Sequence, residues 1–272
     1  MTTSMRRIRV NGVELSVRIE GDGPPVLLAH GFPDCHDVWR RQIPALVAAG
    51  FRVVAPDTRG CGDSEAPAGS RNYRGDVIIA DLLALLDALD IDKVRLVSHD
   101  MGSAICWRLC MQHPERVDRF VTLSVGHPGA YATAPLEQKL KGWYVIFMLL
   151  RGFAEWVLRL RDWRAFRALV RYDDEAPLWI AKLSRPGRLT AAVNYYRGNA
   201  WGYIVPRRWP SVRVPTLGVW SSGDLFLAES QMIASQRYVD APWRYERIDG
   251  ANHWLQLTAP ESVNELLLDY LR

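Results

Sequence analysis

Residues 98–104, Ser98-His99-Asp100-Met101-Gly102-Ser103-Ala104, decide the reading of this chain. The run Val94-Arg95-Leu96-Val97 before them reads as a strand, and the run from Ala104 to Met111 after them as a helix. Strand, sharp turn and helix form the context that a small-x-nucleophile-x-small motif requires, with Asp100 where a serine usually stands. Ser98 and Gly102 are small because such a turn brings the strand and helix backbones close together. A serine alkoxide attacks acyl carbon. A carboxylate is suited instead to displacement at a saturated carbon, leaving an alkyl ester on the protein. Asp100 could alternatively be a simple helix N-cap accepting backbone N–H bonds; the small flanking residues and the strand before it favour the nucleophile.

Outward from this turn, short strand-like runs alternate with helical ones. Val13–Ile19, Val26–Ala29, Arg52–Ala55, Phe120–Val125, Val214–Trp220 and Trp243–Ile248 read as strands. Val38–Ala48 and Val77–Leu89 read as helices, with a last helix from about Pro260 to Leu271. This alternation predicts an α/β fold with a mostly parallel sheet covered by helices on both faces. After Val125 the strand pattern stops until Val214, and the interval is helical and dense in aromatics: Trp143, Tyr144, Trp156, Trp163, Trp179, Tyr195, Tyr196 and Trp201. We read residues 127–207 as a helical cap inserted into a core formed by residues 1–126 and 208–272. Most of these rings are expected to pack the cap onto the sheet, with a few lining a pocket between the two.

A chain of 272 residues can bury a substantial core, and its composition, 49% hydrophobic and 24% charged, is that of a globular protein. The net charge is only +4 and the basic residues are scattered, so the sequence pI of about 8.9 does not indicate nucleic-acid binding. Cys35, Cys61, Cys106 and Cys110 form no C-x-x-C pair and are expected to be buried, reduced thiols. Met1–Val10 has no apolar signal core, and the longest apolar run, Trp143 to Leu150, is too short to span a bilayer. The expectation is a soluble, cytoplasmic protein.

The turn at Asp100 resembles the nucleophile turn of the α/β-hydrolases, and that resemblance implies a triad running nucleophile, acid, histidine along the chain. That order gives Asp100, Asp224 and His253. Asp224 follows the strand Val214–Trp220, where site residues of such sheets lie. Asp240 and Asp249 compete, neither being read as directly following a strand. Of six histidines, only His253 combines a strand-end position with the correct order.

Four stretches in matching order carry a resemblance over essentially the whole chain. They are His30-Gly31-Phe32-Pro33, Asp57-Thr58-Arg59-Gly60-Cys61-Gly62-Asp63-Ser64, the turn around Asp100, and Gly250-Ala251-Asn252-His253-Trp254. Together they resemble the α/β-hydrolase fold, and within it the epoxide hydrolases. The resemblance implies conversion of a hydrophobic epoxide and water to a vicinal diol, without metal or organic cofactor. It implies an oxyanion hole made by the backbone N–H groups of Phe32 and Met101; His30, Asp57 and Arg59 we read as scaffold. It further implies two cap tyrosines holding the epoxide oxygen. Trp143-Tyr144, followed by Gly152-Phe153-Ala154-Glu155, resembles the first cap motif, and Asn194-Tyr195-Tyr196-Arg197 the second. These make Tyr144 and Tyr196 the donors, with Tyr195, which points about 100° away on a helix, as the adjacent rival to Tyr196.

The chain departs from the family at Ser98, where glycine is usual, at Met101, where tryptophan is frequent, and at Leu149, where glutamine is common. One rival is a haloalkane or haloacid dehalogenase using the same triad. Phe32 and Met101 stand where the haloalkane enzymes carry asparagine and tryptophan, and no arginine follows Asp100 as in the haloacid relatives. A second rival is a non-catalytic ligand-binding protein on the same scaffold.

Overall fold

The computed structural model describes residues 4–200 and 208–272. Eight strands form one sheet: β1 (Ser4–Val10), β2 (Val13–Glu20), β3 (Pro25–Ala29), β4 (Arg52–Pro56), β5 (Val94–His99), β6 (Val117–Leu123), β7 (Thr216–Ser221) and β8 (Trp243–Ile248). Their order is β1-β2-β4-β3-β5-β6-β7-β8; β1 and β2 pair antiparallel, β2 pairs antiparallel with β4, and every other pairing is parallel. β1 was not read as a strand from sequence. It is an edge strand whose side chains are mostly exposed, so it lacks the apolar face that marks its neighbours.

Alternate residues of the central strands feed two separate cores, as the two-residue period of a strand dictates. Val26 and Leu28 of β3 join Val97, Val121 and Val219 on one face, packed by α1 (Ile43–Ala48) and the C-terminal helix Pro260–Leu271. Leu27 and Ala29 join Leu96 and Phe120 on the other, packed by α2 (Gly75–Ala88) and α3 (Met101–Gln112). The helix expected over 38–48 is divided into a single 3-10 turn, His36–Trp39, and α1. Pro44 explains the break: it has no N–H for a continuous helix and sits instead in the first turn of α1.

Between β6 and β7 the described residues are helical: α4 (Pro128–Ala132), α5 (Leu136–Lys141), α6 (Trp143–Met148), α7 (Phe153–Val170), α8 (Ala176–Leu183) and α9 (Arg188–Asn199). The expectation for their rings holds for Tyr144, Trp163, Trp179, Tyr195 and Tyr196, which are buried, and fails for Trp143 and Trp156, which are exposed. Trp201 lies outside the described residues. Cys35, Cys106 and Cys110 are buried free thiols as expected, whereas Cys61 is partly exposed.

The parallel register sets the carboxyl ends of β5 to β8 side by side: His99 pairs with Leu123, Leu123 with Val219, and Val219 with Glu246. The loops that leave these ends therefore meet at one edge of the sheet, which is where ligands bind to such sheets.

Candidate active site

Asp100 sits between β5 and α3 with φ 51° and ψ −124°. A left-handed φ is uncommon for a residue with a Cβ, and holding it costs on the order of 1–3 kcal/mol, paid for by the packing around the turn. Gly102 permits the turn, because a Cβ there would lie 2.5 Å from the carbonyl oxygens of both Ala29 and His30. Ser98, in the place of the usual glycine, is tolerated because its hydroxyl is 2.8 Å from that of Ser103, a hydrogen bond that spans the turn.

The three residues read as a triad converge. His253 Nδ1 is 2.8 Å from Asp224 Oδ2, and His253 Nε2 is 3.5 Å from Asp100 Oδ2. Asp224 Oδ1 accepts from the backbone N–H groups of Phe226 and Leu227 at 2.8 and 2.9 Å, which fixes the carboxylate toward the imidazole. All three side chains are buried. Asp249 does directly follow β8, contrary to the sequence reading, but it is exposed and bonded to Arg247 at 2.7 Å. Asp240 is exposed as well.

Electrostatics follow from this burial. Desolvation alone would lower the His253 pKa, but the charge of Asp224 and the bond to Asp100 outweigh it and raise it to about 10. Desolvation would likewise raise Asp100, yet its hydrogen bond and attraction to His253, with the Phe32 N–H, hold it below the ordinary carboxylate value. The imidazole, held from both of its nitrogens, therefore favours its protonated form.

Asp100 Oδ1 accepts the backbone N–H of Phe32 at 2.7 Å. The N–H of Met101 opens α3, so it has no carbonyl partner within its own helix. One carboxylate oxygen thus faces the Phe32 N–H and the other faces the imidazole.

Tyr144 of α6 and Tyr196 of α9 meet edge to face, with ring centroids 6.0 Å apart. Both border two cavities that share Asp100. One includes Met101, Tyr131 and Leu227; the other includes Phe32, Phe226 and His253. Burial pushes both phenols well above their ordinary pKa, with the negative charge of Asp100 adding to the effect, so both are protonated. Tyr195 faces elsewhere: its hydroxyl is 2.8 Å from both Arg59 O and Thr58 Oγ1. The carbonyl can only accept, so the Tyr195 proton is committed to the loop after β4.

The residues read as scaffold are internally bonded. His30 Nε2 accepts from Thr58 N at 3.0 Å, Asp57 holds His36, and Arg59 forms a buried two-pronged pair with Asp81. Cys35, His36 and Asp57 bring potential ligand atoms within 4.8 Å of one another. Those atoms already serve protein partners, His36 on Asp57 and Lys182 on Cys35 at 2.8 Å each.

Sequence reasoning missed Asp34. Its two oxygens accept the indole N–H of Trp179 in α8 at 2.8 Å and of Trp254, next to His253, at 3.0 Å. Burial pushes its carboxyl up to about 7 despite these bonds. The only signal was an acidic residue directly after the His30–Pro33 turn; its partners lie far away in sequence.

A family model described as the alpha/beta hydrolase fold matches residues 24–260. The AB hydrolase superfamily protein YfhM of Bacillus subtilis (strain 168) is 33% identical, over 97% of this chain and 96% of its own. Epoxide hydrolase 3 of Xenopus tropicalis is 32% identical, over 98% of this chain and 77% of its own. The crystal structure of epoxide hydrolase A from Mycobacterium thermoresistibile superposes with a TM-score of 0.87 at 29% identity, covering 100% of this chain and 98% of that one. With its eight-stranded sheet, the turn at Asp100 and these relatives, the chain belongs to the α/β-hydrolase fold family, on its epoxide hydrolase branch.

Proposed function

We propose that the protein is an epoxide hydrolase that forms a covalent ester on Asp100, with residues 127–207 as a cap over the core of residues 1–126 and 208–272. Named epoxide hydrolases among its relatives support the activity. The observation that carries the mechanism is the pairing of two protonated tyrosines, Tyr144 and Tyr196, over the cavities that contain Asp100. Opening an epoxide generates an alkoxide, which leaves well only if protonated.

Asp100 Oδ2 attacks a ring carbon and the ring C–O bond breaks. The oxygen takes its proton from one tyrosine while the other donates a hydrogen bond. The ester removes the charge of Asp100, so His253 keeps one carboxylate partner instead of two and holds its proton less tightly. That proton restores the tyrosine, and neutral His253 becomes the base. It then takes a proton from water as the water oxygen attacks the ester carbonyl. The charge that develops on Oδ1 is met by the N–H groups of Phe32 and Met101. Collapse releases the diol, which receives the proton from His253; the Asp100 carboxyl left behind then gives its own proton to His253, and Asp224 stabilises the imidazolium each time it forms.

A dehalogenase would need donors aimed at a halide. The nearby indoles, Trp179 and Trp254, are both spent on Asp34, and Met101 follows the nucleophile. The test is turnover. The parent should form diol from members of an epoxide panel, and His253→Gln should accumulate an alkylated protein visible by intact mass. Halide release from haloalkanes with no diol from any epoxide would contradict the proposal, and absence of both turnover and adduct would leave a binding protein.

A further inference from the structure

The longest apolar stretch of the chain, Trp143 to Leu150, goes only partly into the core: Tyr144 and Met148 are buried, whereas Trp143, Ile146 and Leu150 are exposed. Leu136 and Leu140 on α5, Trp143 and Ile146 on α6, and Phe153 and Trp156 on α7 are all exposed; Leu136 reaches 67%, Trp143 60% and Trp156 59%. The aromatic side chains of this segment form one strip rather than scattered points. Trp143, Phe147, Phe153 and Trp156 follow one another in ring contacts of 6.2, 6.5 and 5.7 Å between centroids. A contiguous exposed patch of large apolar and aromatic side chains marks an interaction surface.

The charges on this face indicate what it meets. Its two acids are neutralised within the protein: Glu155 by Arg197 and Glu137 by Lys141. Lys139, Arg151 and Arg159, each adjacent in sequence to an exposed leucine, have no carboxylate partner among the described residues. Two copies pressed together through such a face would set like charges against each other. A negatively charged lipid surface would not, and tryptophan, phenylalanine and leucine flanked by lysine and arginine are what an interfacial segment presents to it. No helix of the described residues is long and apolar enough to cross a membrane, so attachment would be peripheral.

We propose that the face built by α5, α6 and the start of α7 docks on the surface of anionic lipid bilayers. The same short helix α6 that exposes Trp143 and Ile146 turns Tyr144 inward to the Asp100 cavities, so the docked face and the site are one helix apart. The proposal goes beyond the hydrolase reading and does not depend on it.

Flotation of the full chain with vesicles tests it, comparing phosphatidylcholine alone with phosphatidylcholine containing about a quarter phosphatidylglycerol. The protein should float with the mixed vesicles, at least tenfold more than with the neutral ones, and high salt should release it. Two variant sets should each stay in the supernatant: Trp143→Gln with Trp156→Gln, and Lys139→Glu with Arg151→Glu and Arg159→Glu. The second set should weaken binding by at least roughly a hundredfold, at about fivefold for each of the three cations lost, with the three acids gained adding repulsion. Turnover of a water-soluble epoxide and circular dichroism would report folding of both sets. Parent protein that ignores both kinds of vesicle overturns the proposal, as does equal, salt-insensitive binding to both. A dimer in analytical ultracentrifugation that only the tryptophan variant dissociates would assign the face to a second copy and overturn it too.

Discussion

His253 Nε2 stands 3.5 Å from Asp100 Oδ2, while Nδ1 is 2.8 Å from Asp224 Oδ2. The imidazole is thus held tightly by one carboxylate and loosely by the other. The loose side faces the oxygen assigned to attack. It is also the partner that alkylation would remove, so chemistry at Asp100 would itself change the proton affinity of His253.

This arrangement fixes a direction for pH-dependent stability. The folded pKa of His253, about 10, lies above its ordinary 6.5, so its contribution is fully present below pH 6.5 and is lost as pH rises through 10. Melting temperature should fall over that window. In Asp224→Asn, where the leading cause of the shift is gone, that component of the fall should shrink. Thermal melts across the window check this, and parallel curves for parent and variant would contradict it.

Tyr196→Phe and Tyr144→Phe should each slow ring opening by roughly ten- to a thousandfold, because the partner tyrosine remains. Tyr195→Phe should behave differently. It removes a buried bond to Arg59 O, costing about 1–3 kcal/mol of stability while leaving pre-steady-state ring opening near the parent rate. Rapid-mixing kinetics with denaturant melts separate the two effects. Ring opening slowed by Tyr195→Phe and not by Tyr196→Phe would reverse the assignment.

Asp34 ties α8 to the loop that carries His253 through two indole N–H groups. Asp34→Ala leaves both donors buried and unpaired and should destabilise the protein by about 1–3 kcal/mol, read from the shift in denaturation midpoint. Asp34→Asn, which keeps an acceptor oxygen, should lose less. A midpoint unmoved by the alanine variant would remove Asp34 from the account of how α8 is held.

What the sequence discloses depends on how local the cause is. The turn at Asp100 is legible because its strain demands small residues on either side within a few positions. The sheet strands are legible because buried strands are dense in valine and leucine; β1, at an edge and rich in arginine, is not. Tyr195 and Tyr196 can be set apart by helical pitch, but which of them meets Asp100 is decided by how α9 packs. Asp34 is invisible because its meaning resides in Trp179 and Trp254, more than a hundred residues away. Trp143 and Trp156 mislead for the same reason: an aromatic in a helix reads as core until the neighbouring helices show which face is open.

The claim on which the mechanism stands is a covalent ester at Asp100. Single turnover in oxygen-18 water tests it most directly, with the isotope located by mass spectrometry of the peptide containing Asp100 and of the diol. Water attacks the ester carbonyl in the proposed route, so the first turnover should place the heavy atom in the Asp100 carboxylate and yield unlabelled diol, with label reaching diol only in later turnovers. Heavy oxygen in the first-turnover diol, with an unlabelled Asp100, would mean that water opens the ring directly and that no ester forms.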